Sequence, residues 1–127
     1  MVRAALVAGM IAVLAAGCDT ASTAPPGPQP PAGSGTKVTA KLTDFHIELS
    51  QQSFPAGVYT FVVNNAGQAT HSLEIQKEGV ADYRSDNIRP GHSDELTVQL
   101  EAGTYQVWCP VGNHRSQGMN MELTVTK

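Results

Sequence analysis

The sequence lacks three features that would each indicate a particular class of protein. It has no cluster of lysine or arginine, and its eight basic residues are outnumbered by eleven acidic ones. A nucleic-acid partner is therefore not expected. Its longest apolar run, Ala4–Ala16, has thirteen residues, which is too short to span a bilayer because a spanning helix needs about twenty. Cysteine is nearly absent, with only Cys18 and Cys109 in the chain. The length is enough for one domain.

Residues 1–17 are predicted to be a signal peptide. Arg3 supplies a short positive start, and the apolar run that follows has signal-peptide length. The segment Leu14-Ala15-Ala16-Gly17-Cys18 resembles a bacterial lipobox, in which the cysteine is acylated. The large aliphatic residue that usually stands three positions before the cysteine is one place early here. We expect lipidation of Cys18, and an ordinary cleaved signal peptide with a chance cysteine is the alternative.

Residues 18–35 are predicted to be a linker that begins at the lipidated cysteine. They contain five of the eight prolines and show no apolar periodicity. Such a segment is extended and semi-rigid, at ~3 Å per residue, and can hold a domain up to about 50 Å from a membrane. Removal of residues 1–17 would change the net charge from −3 to −4, because Arg3 is the one charged residue lost. We expect an exported protein, lipid-anchored to the cell membrane and facing the periplasm or the cell exterior.

Residues 36–127 alternate apolar and polar side chains, which is typical of strands with one face in a core. Gly, Asn and Pro turns separate about seven such runs, so we predict an all-β domain, a Greek-key antiparallel β-sandwich. A change of parity near Thr43-Asp44 indicates a bulge or bend, after which Phe45 would join the core-facing set. The segment 76–93 has no clear period and is predicted to be a long connection with room for one helical turn.

Four residues with metal-binding side chains stand out against this pattern. Cys109, His114 and Met119 lie within eleven residues of one another, and His71 lies upstream. The alternation predicts that His71, Cys109 and Met119 face the core at strand ends, and that His114 lies in the loop between the last two strands. One Cys, two His and a weak axial Met are the ligand set of a blue-copper site. Met121 has the parity of Met119 and stays open as the axial residue.

The cysteine count supports the same prediction independently. If Cys18 is lipidated, Cys109 is the only thiol left, and an unpaired thiol is unusual in an oxidising compartment. A bound metal would protect that thiol and use it. The backbone N–H of Ser72 is expected to donate to the sulfur, whereas Pro110 has no N–H to offer.

The segment from Gly103 to Pro110, with Gly112-Asn113-His114-Arg115 and Gly118-Met119, resembles the copper-binding end of the cupredoxins, the plastocyanin and azurin family. Phe54-Pro55-Ala56-Gly57 and His71-Ser72-Leu73 resemble the middle strands and first histidine of that family. The resemblance covers residues 36–127. It implies a cupredoxin-like sandwich that binds one copper ion, cycling between Cu(II) and Cu(I), through His71, Cys109, His114 and Met119.

Other notable side chains are given structural roles. His46 and His92 are expected to face solvent, and the scattered acidic residues are interpreted as solvated surface. Tyr105 is expected to bond a nearby loop. Trp108 is expected to pack on the outer face of its strand. The resemblance also allows an aromatic residue beside the cysteine to serve as an electron exit.

The leading hypothesis is a type 1 copper protein, not an enzyme, that carries single electrons. Its expected partners are redox proteins or copper enzymes of the membrane or periplasm, and it is expected to be a monomer. The alternative is a copper carrier or buffer, which the lack of a Met-rich or His-rich tract disfavours. A Cys–His nucleophile would leave His71 and Met119 without a role and shows no oxyanion motif. A metal-free adhesion module would leave Cys109 unexplained.

Overall fold

A computed structural model describes residues 30–80 and 82–127. The predicted signal peptide, Cys18 and most of the linker lie outside these described residues. Strands dominate the described part of the chain, and one short helix follows the eighth strand. The elements are β1 Thr36–Thr43, β2 His46–Leu49, β3 Phe54–Pro55, β4 Gly57–Asn65, β5 Glu74–Gln76, β6 Tyr83–Arg84, β7 Ser93–Leu100, β8 Gly103–Trp108, α1 His114–Gln117 and β9 Asn120–Thr126.

The strands form two sheets, with orders β2-β1-β4-β7 and β3-β9-β8-β5-β6. The predicted all-β sandwich is therefore confirmed. Most strand pairs are antiparallel, but β1 pairs with β4 and β3 pairs with β9 in parallel. A parallel pair requires a crossover rather than a hairpin, and β2 and β3 lie in the connection between β1 and β4.

The core lies between the sheets and consists of the side chains that the alternation predicts. Val38, Ala40 and Leu42 of β1 are fully buried, and Phe61 and Val63 of β4 are buried beside them. Intervening β1 residues are exposed because successive side chains of a strand point to opposite faces. The second sheet contributes its own buried set, namely Ile75, Tyr105, Val107, Leu123 and Val125.

The predicted loop contact of Tyr105 is also present. Its hydroxyl accepts a bond from the backbone N–H of Glu101 (2.9 Å) and donates to the carbonyl of the same residue (3.2 Å). Burial raises the pKa of Tyr105 above its usual value. The hydroxyl therefore stays protonated and ties β8 to the turn before it.

The prediction that Phe45 faces the core is wrong. The bulge or bend predicted near Thr43-Asp44 is a two-residue turn, so that Thr43 pairs with His46 and β2 runs back along β1. Phe45 lies in that turn and is 36% exposed. Ile47 and Leu49 are buried as predicted, because the alternation resumes only after the turn.

The long connection after β5 contains short strand pairings. Tyr83 and Arg84 form β6 and pair with β5, and Ile88 forms an isolated bridge with His71. The described residues of segment 76–93 contain no helical turn, although the sequence left room for one, and α1 at His114–Gln117 is a separate element. His46 and His92 are exposed, as expected.

The end of the linker meets the sandwich far from the predicted ligands. The backbone N–H of Gly33 donates to the Thr97 hydroxyl (2.9 Å), and the Thr60 hydroxyl donates to the carbonyl of Ser34 (2.7 Å). Gly33 and Ser34 precede β1, whereas the ligand region begins beyond the other end of β1, at Asp44. The eight residues of β1 separate the two places by roughly 25 Å. Within the described residues, no helix has the length and apolar character needed to cross a membrane.

Candidate metal centre

Cys109 follows β8 directly and is fully buried. Its backbone N–H donates to the carbonyl of Met119 (3.1 Å), which extends the β8–β9 ladder by one step. Within the part of the chain that the structure describes, this thiol is free. The strand ladder therefore fixes the position of the sulfur, as expected for a core-facing residue at a strand end.

His71 is held on both sides of its backbone. Its N–H donates to the carbonyl of Ile88 (3.1 Å), and its carbonyl accepts from the N–H of Ile88 (2.7 Å). The buried side chain of Asn65 supports this arrangement by donating to the carbonyls of Ile88 (2.7 Å) and Ala69 (2.8 Å). It also accepts from the N–H of Gly67 (2.9 Å). The His71 ring is fully buried.

His114 reaches the same place from the loop between β8 and β9. It begins α1, its N–H donates to the carbonyl of Val111, and its own carbonyl accepts from Met119, both at 3.1 Å. Its side chain is only partly buried, and the ring of Phe45 lies 4.9 Å away between centroids. Burial lowers the pKa of His114 below its usual value, and the nearby His71 lowers it further.

The three side chains converge on one point. Nδ1 of His71 lies 3.2 Å from Nδ1 of His114, and Sγ of Cys109 lies 3.9 Å and 3.6 Å from these two nitrogens. Bonds to a first-row ion such as zinc are about 2.0 Å from imidazole and about 2.3 Å from thiolate. In a trigonal plane, such bonds place two nitrogens about 3.5 Å apart and nitrogen and sulfur about 3.7 Å apart. The observed triangle matches these spacings.

The donor set also fits copper. Soft thiolate and imidazole ligands in a trigonal arrangement are those of a blue-copper centre. Among the residues that the structure describes, these three side chains are the group whose ligand atoms lie within 4.8 Å of one another. The cluster is compatible with a single type 1 copper site.

Met119 is better placed than Met121 for the axial position. Met119 is fully buried and pairs through its backbone with Cys109, and residues opposite one another on paired strands share a face. Met121 pairs with Val107, two residues further along the ladder from the cluster, and is only partly buried. Met119 therefore remains our predicted axial ligand.

The backbone around the thiol provides one hydrogen bond to sulfur, as expected from the sequence. The N–H of Ser72 lies 3.5 Å from Sγ of Cys109. The Ser72 hydroxyl donates to the carbonyl of Ser85 (3.0 Å), and the hydroxyl of Ser85 accepts from the N–H of Leu73 (2.9 Å). Ser85 thus holds the segment that presents this N–H, a role that the sequence did not reveal.

Asp44 is an exposed residue, as predicted for the acidic residues, but its carboxylate also contacts a predicted ligand. Its Oδ1 lies 2.6 Å from Nε2 of His71, and its side chain is 26% exposed. The bond from the N–H of Gln68 is the main reason that the pKa of Asp44 lies below its usual value, and the bond from His71 acts in the same direction against the effect of burial. The only sequence signal was its position at the change of parity after β1.

Trp108 packs on the outer face of β8, as expected, and is buried there, with 8% exposure. The guanidinium carbon of Arg115 lies 4.2 Å from the centroid of its ring. This cation–π contact joins the loop that contains His114 to the strand that leads to Cys109. Arg115 is a further contributor that the sequence pattern did not indicate.

Solved structures of two auracyanins are similar to this one. The structure is similar to a dithionite-reduced auracyanin from Roseiflexus castenholzii, with a TM-score of 0.59 and 20% identity over 75% of this chain and 100% of the other. It is also similar to auracyanin A, a blue copper protein from Chloroflexus aurantiacus, with a TM-score of 0.50 and 20% identity over 71% of this chain and 99% of the other.

The sequence is 32% identical over 73 residues to the iron uptake system component EfeO of Yersinia pseudotuberculosis. That match covers 58% of this chain but 20% of the relative, so the chain spans about a fifth of the relative's length. The model of the cupredoxin-like domain family matches residues 7–125. The chain therefore belongs to the cupredoxin-like domain family.

Proposed function

We propose that this protein is a type 1 copper protein that carries single electrons between redox partners at the outer face of a bacterial membrane. The observation that carries the proposal is the triangle of one buried thiol and two imidazole nitrogens, with sides of 3.2, 3.6 and 3.9 Å. His71, Cys109 and His114 would hold the ion, with Met119 as a weak axial ligand. Bound copper would supply a one-electron couple.

The chain's own residues account for rapid transfer. Two ligands are fixed by the strand framework, so their positions need not change with the charge of the site. The N–H of Ser72 donates to the sulfur and stabilises thiolate charge. The partly exposed His114, with Phe45 beside it, offers a partner the shortest approach to the cluster. We propose this edge as the point of contact.

The proposed membrane location is consistent with where the linker joins the domain. The tether that would follow a lipidated Cys18 enters near Gly33, at the end of β1 away from the cluster. A domain tethered in this way can turn the His114 edge away from the membrane. Redox proteins or copper enzymes of the envelope are the partners that we propose.

A copper carrier remains the second candidate because the relative EfeO is named as a component of an iron uptake system. The two functions make different use of the same ligands. A carrier must release its ion to a partner, whereas an electron carrier must retain it. The full burial of His71 and Cys109 favours retention. A Cys–His nucleophile needs a base and an orienting group, which His71 and Asp44 could supply, but it leaves His114, 3.6 Å from the sulfur, and the buried Met119 without a role.

Repeated redox cycling in the presence of a chelator tests the proposal. The copper-loaded protein should take up one electron per chain from a small reductant and return it to an oxidant over many cycles, without loss of copper to a Cu(I) chelator. Release of copper to the chelator on each reduction would favour the carrier and contradict the electron-transfer function.

A further inference from the structure

Asp44 contacts the nitrogen of His71 that points away from the cluster. A neutral imidazole has one N–H donor and one acceptor nitrogen, and an ionised carboxylate can only accept. Since Oδ1 of Asp44 lies 2.6 Å from Nε2 of His71, the ring proton belongs on Nε2. The lone pair is then on Nδ1, the atom that lies 3.2 Å from His114 and 3.9 Å from Cys109.

The carboxylate is itself held in position. The N–H of Gln68 donates to Oδ2 (2.8 Å), and the N–H of Ala69 donates to Oδ1 (3.3 Å). Gly67 leaves room for the pair, because a Cβ at this position would collide with Oδ1 of Asp44 and lie 2.8 Å from Nε2 of His71. The loop from Gly67 to Ala69 therefore fits around a carboxylate directed at the ring.

Only one of the two histidines of the cluster has a carboxylate partner among the described residues. Among the described residues, no carboxylate is hydrogen-bonded to His114, whereas the His71 ring contacts Asp44 at one nitrogen and the cluster at the other. A carboxylate on the far nitrogen of a metal-binding histidine fixes its tautomer and orientation and raises its basicity as a ligand. The Asp44 contact would therefore strengthen His71 as a ligand and leave His114 unaffected.

We propose that Asp44 is a positioning residue that fixes the Nε2–H tautomer of His71 and, through its negative charge, stabilises Cu(II) relative to Cu(I). The proposal rests on the function proposed above, because it assigns His71 to the copper ion. It predicts that the carboxylate lowers the reduction potential of the site. Loss of such a partner typically weakens metal binding about 10- to 100-fold.

Three variants separate charge from position. Asp44→Asn keeps an oxygen that can accept from Nε2–H but removes the charge, whereas Asp44→Ala removes both. Glu48→Gln removes a charge from an exposed position of β2 and is the matched control. We expect Cu(II) affinity to fall at least tenfold in both Asp44 variants and to stay within twofold of the wild type in the control. Each tenfold loss that is confined to Cu(II) should raise the potential by about 59 mV.

Nitrogen-15 NMR of the copper-free protein gives a second readout that does not depend on copper. Nε2 of His71 should carry a slowly exchanging proton in the wild type and in Asp44→Asn, and this protection should be lost in Asp44→Ala. A wild-type proton on Nδ1, or Asp44 variants whose Cu(II) affinity and potential equal those of Glu48→Gln, would overturn the proposal. A wild-type protein that is not blue with copper would instead contradict the proposed function, while the NMR result would still decide the role of Asp44.

Discussion

The two halves of the cluster are built in different ways. The strand-held half consists of His71, Cys109 and Met119, which are all fully buried and fixed by ladder or bridge bonds on their backbones. The loop-held half consists of His114, which lies on a four-residue helix and is partly exposed, with Phe45 against its ring. One half is anchored by the sandwich, and the other faces outwards.

Because one half is buried and the other is partly exposed, the two halves are suited to different roles. Buried residues with several backbone partners keep one arrangement, since each bond lost in the interior leaves an unsatisfied group. A partly exposed ligand has fewer neighbours and lies where a partner can approach. We infer that the strand-held half maintains the geometry of the site and the loop-held half connects it to other proteins.

Removing each histidine in turn tests this comparison with the largest expected effect. His114→Gly and His71→Gly should both abolish the type 1 spectrum of the copper-loaded protein. Added imidazole should restore it in His114→Gly, because the vacated space opens towards solvent. It should not restore it in His71→Gly, because the His71 side chain is fully buried, with Asp44 and the bridge to Ile88 beside it.

The readout is the recovered absorption as a function of imidazole concentration. Equal recovery in the two variants would show that both sites are equally accessible and would remove the distinction between the halves. A copper-free unfolding curve for each variant serves as the control for loss of the fold.

Truncation of Asn65 should weaken the strand-held half. Asn65→Ala leaves the carbonyls of Ile88 and Ala69 and the N–H of Gly67 without this partner. We expect the free energy of unfolding to fall by about 3 kcal/mol, which chemical denaturation would measure. Asn64→Ala, at the less buried neighbouring position, is the control and should cost less than about 1 kcal/mol. Similar losses in the two variants would contradict the anchoring role.

The methionines allow a finer test within the strand-held half. Met119→Leu should raise the reduction potential, because it removes a weak axial donor. Met121→Leu should leave the potential unchanged, since this residue pairs with Val107 rather than Cys109. Both replacements conserve volume and should each cost less than about 1.5 kcal/mol of stability. A shift in Met121→Leu alone would move the axial assignment to Met121.

Acid titration of the copper-free protein should give the smallest effect. Stability should depend on His114, in the loop-held half, and on Asp44, the partner of His71 in the strand-held half, over different pH ranges. The pKa of His114 is lowered in the folded state, so the unfolded chain protonates first and stability falls as pH drops below about 6.5. The pKa of Asp44 is also lowered, so its contribution is present above its unfolded pKa of about 3.9 and is lost below it. His114→Gln should remove only the loss of stability that begins below about pH 6.5, and Asp44→Asn only the loss below about pH 3.9. Retention of both losses in either variant would contradict these assignments.

Strand parity was sufficient to predict the strand-held half. Because side chains alternate strictly along a strand, the apolar neighbours of His71, Cys109 and Met119 revealed that all three are buried. The same rule failed for Phe45, where the chain reverses direction. Whether a parity change is a bulge or a turn depends on which strands pair, and that is decided by contacts distant in sequence.

The partners of the ligands could not be predicted for the same reason. Asp44 and His71 are 27 residues apart, and Ser72 and Ser85 are 13 apart. Neither pair has a local pattern that would reveal it. The Arg115–Trp108 contact likewise depends on the path of the loop. Lipidation of Cys18 and the signal peptide remain predictions from the sequence.

The absorption and electron paramagnetic resonance spectra of the purified protein, titrated with Cu(II), are the most direct test of a type 1 copper site. We expect an intense blue colour that saturates at one copper per chain, the narrow hyperfine splitting of a copper–thiolate site, and loss of both in Cys109→Ser. A colourless complex with the ordinary spectrum of tetragonal Cu(II) would contradict it.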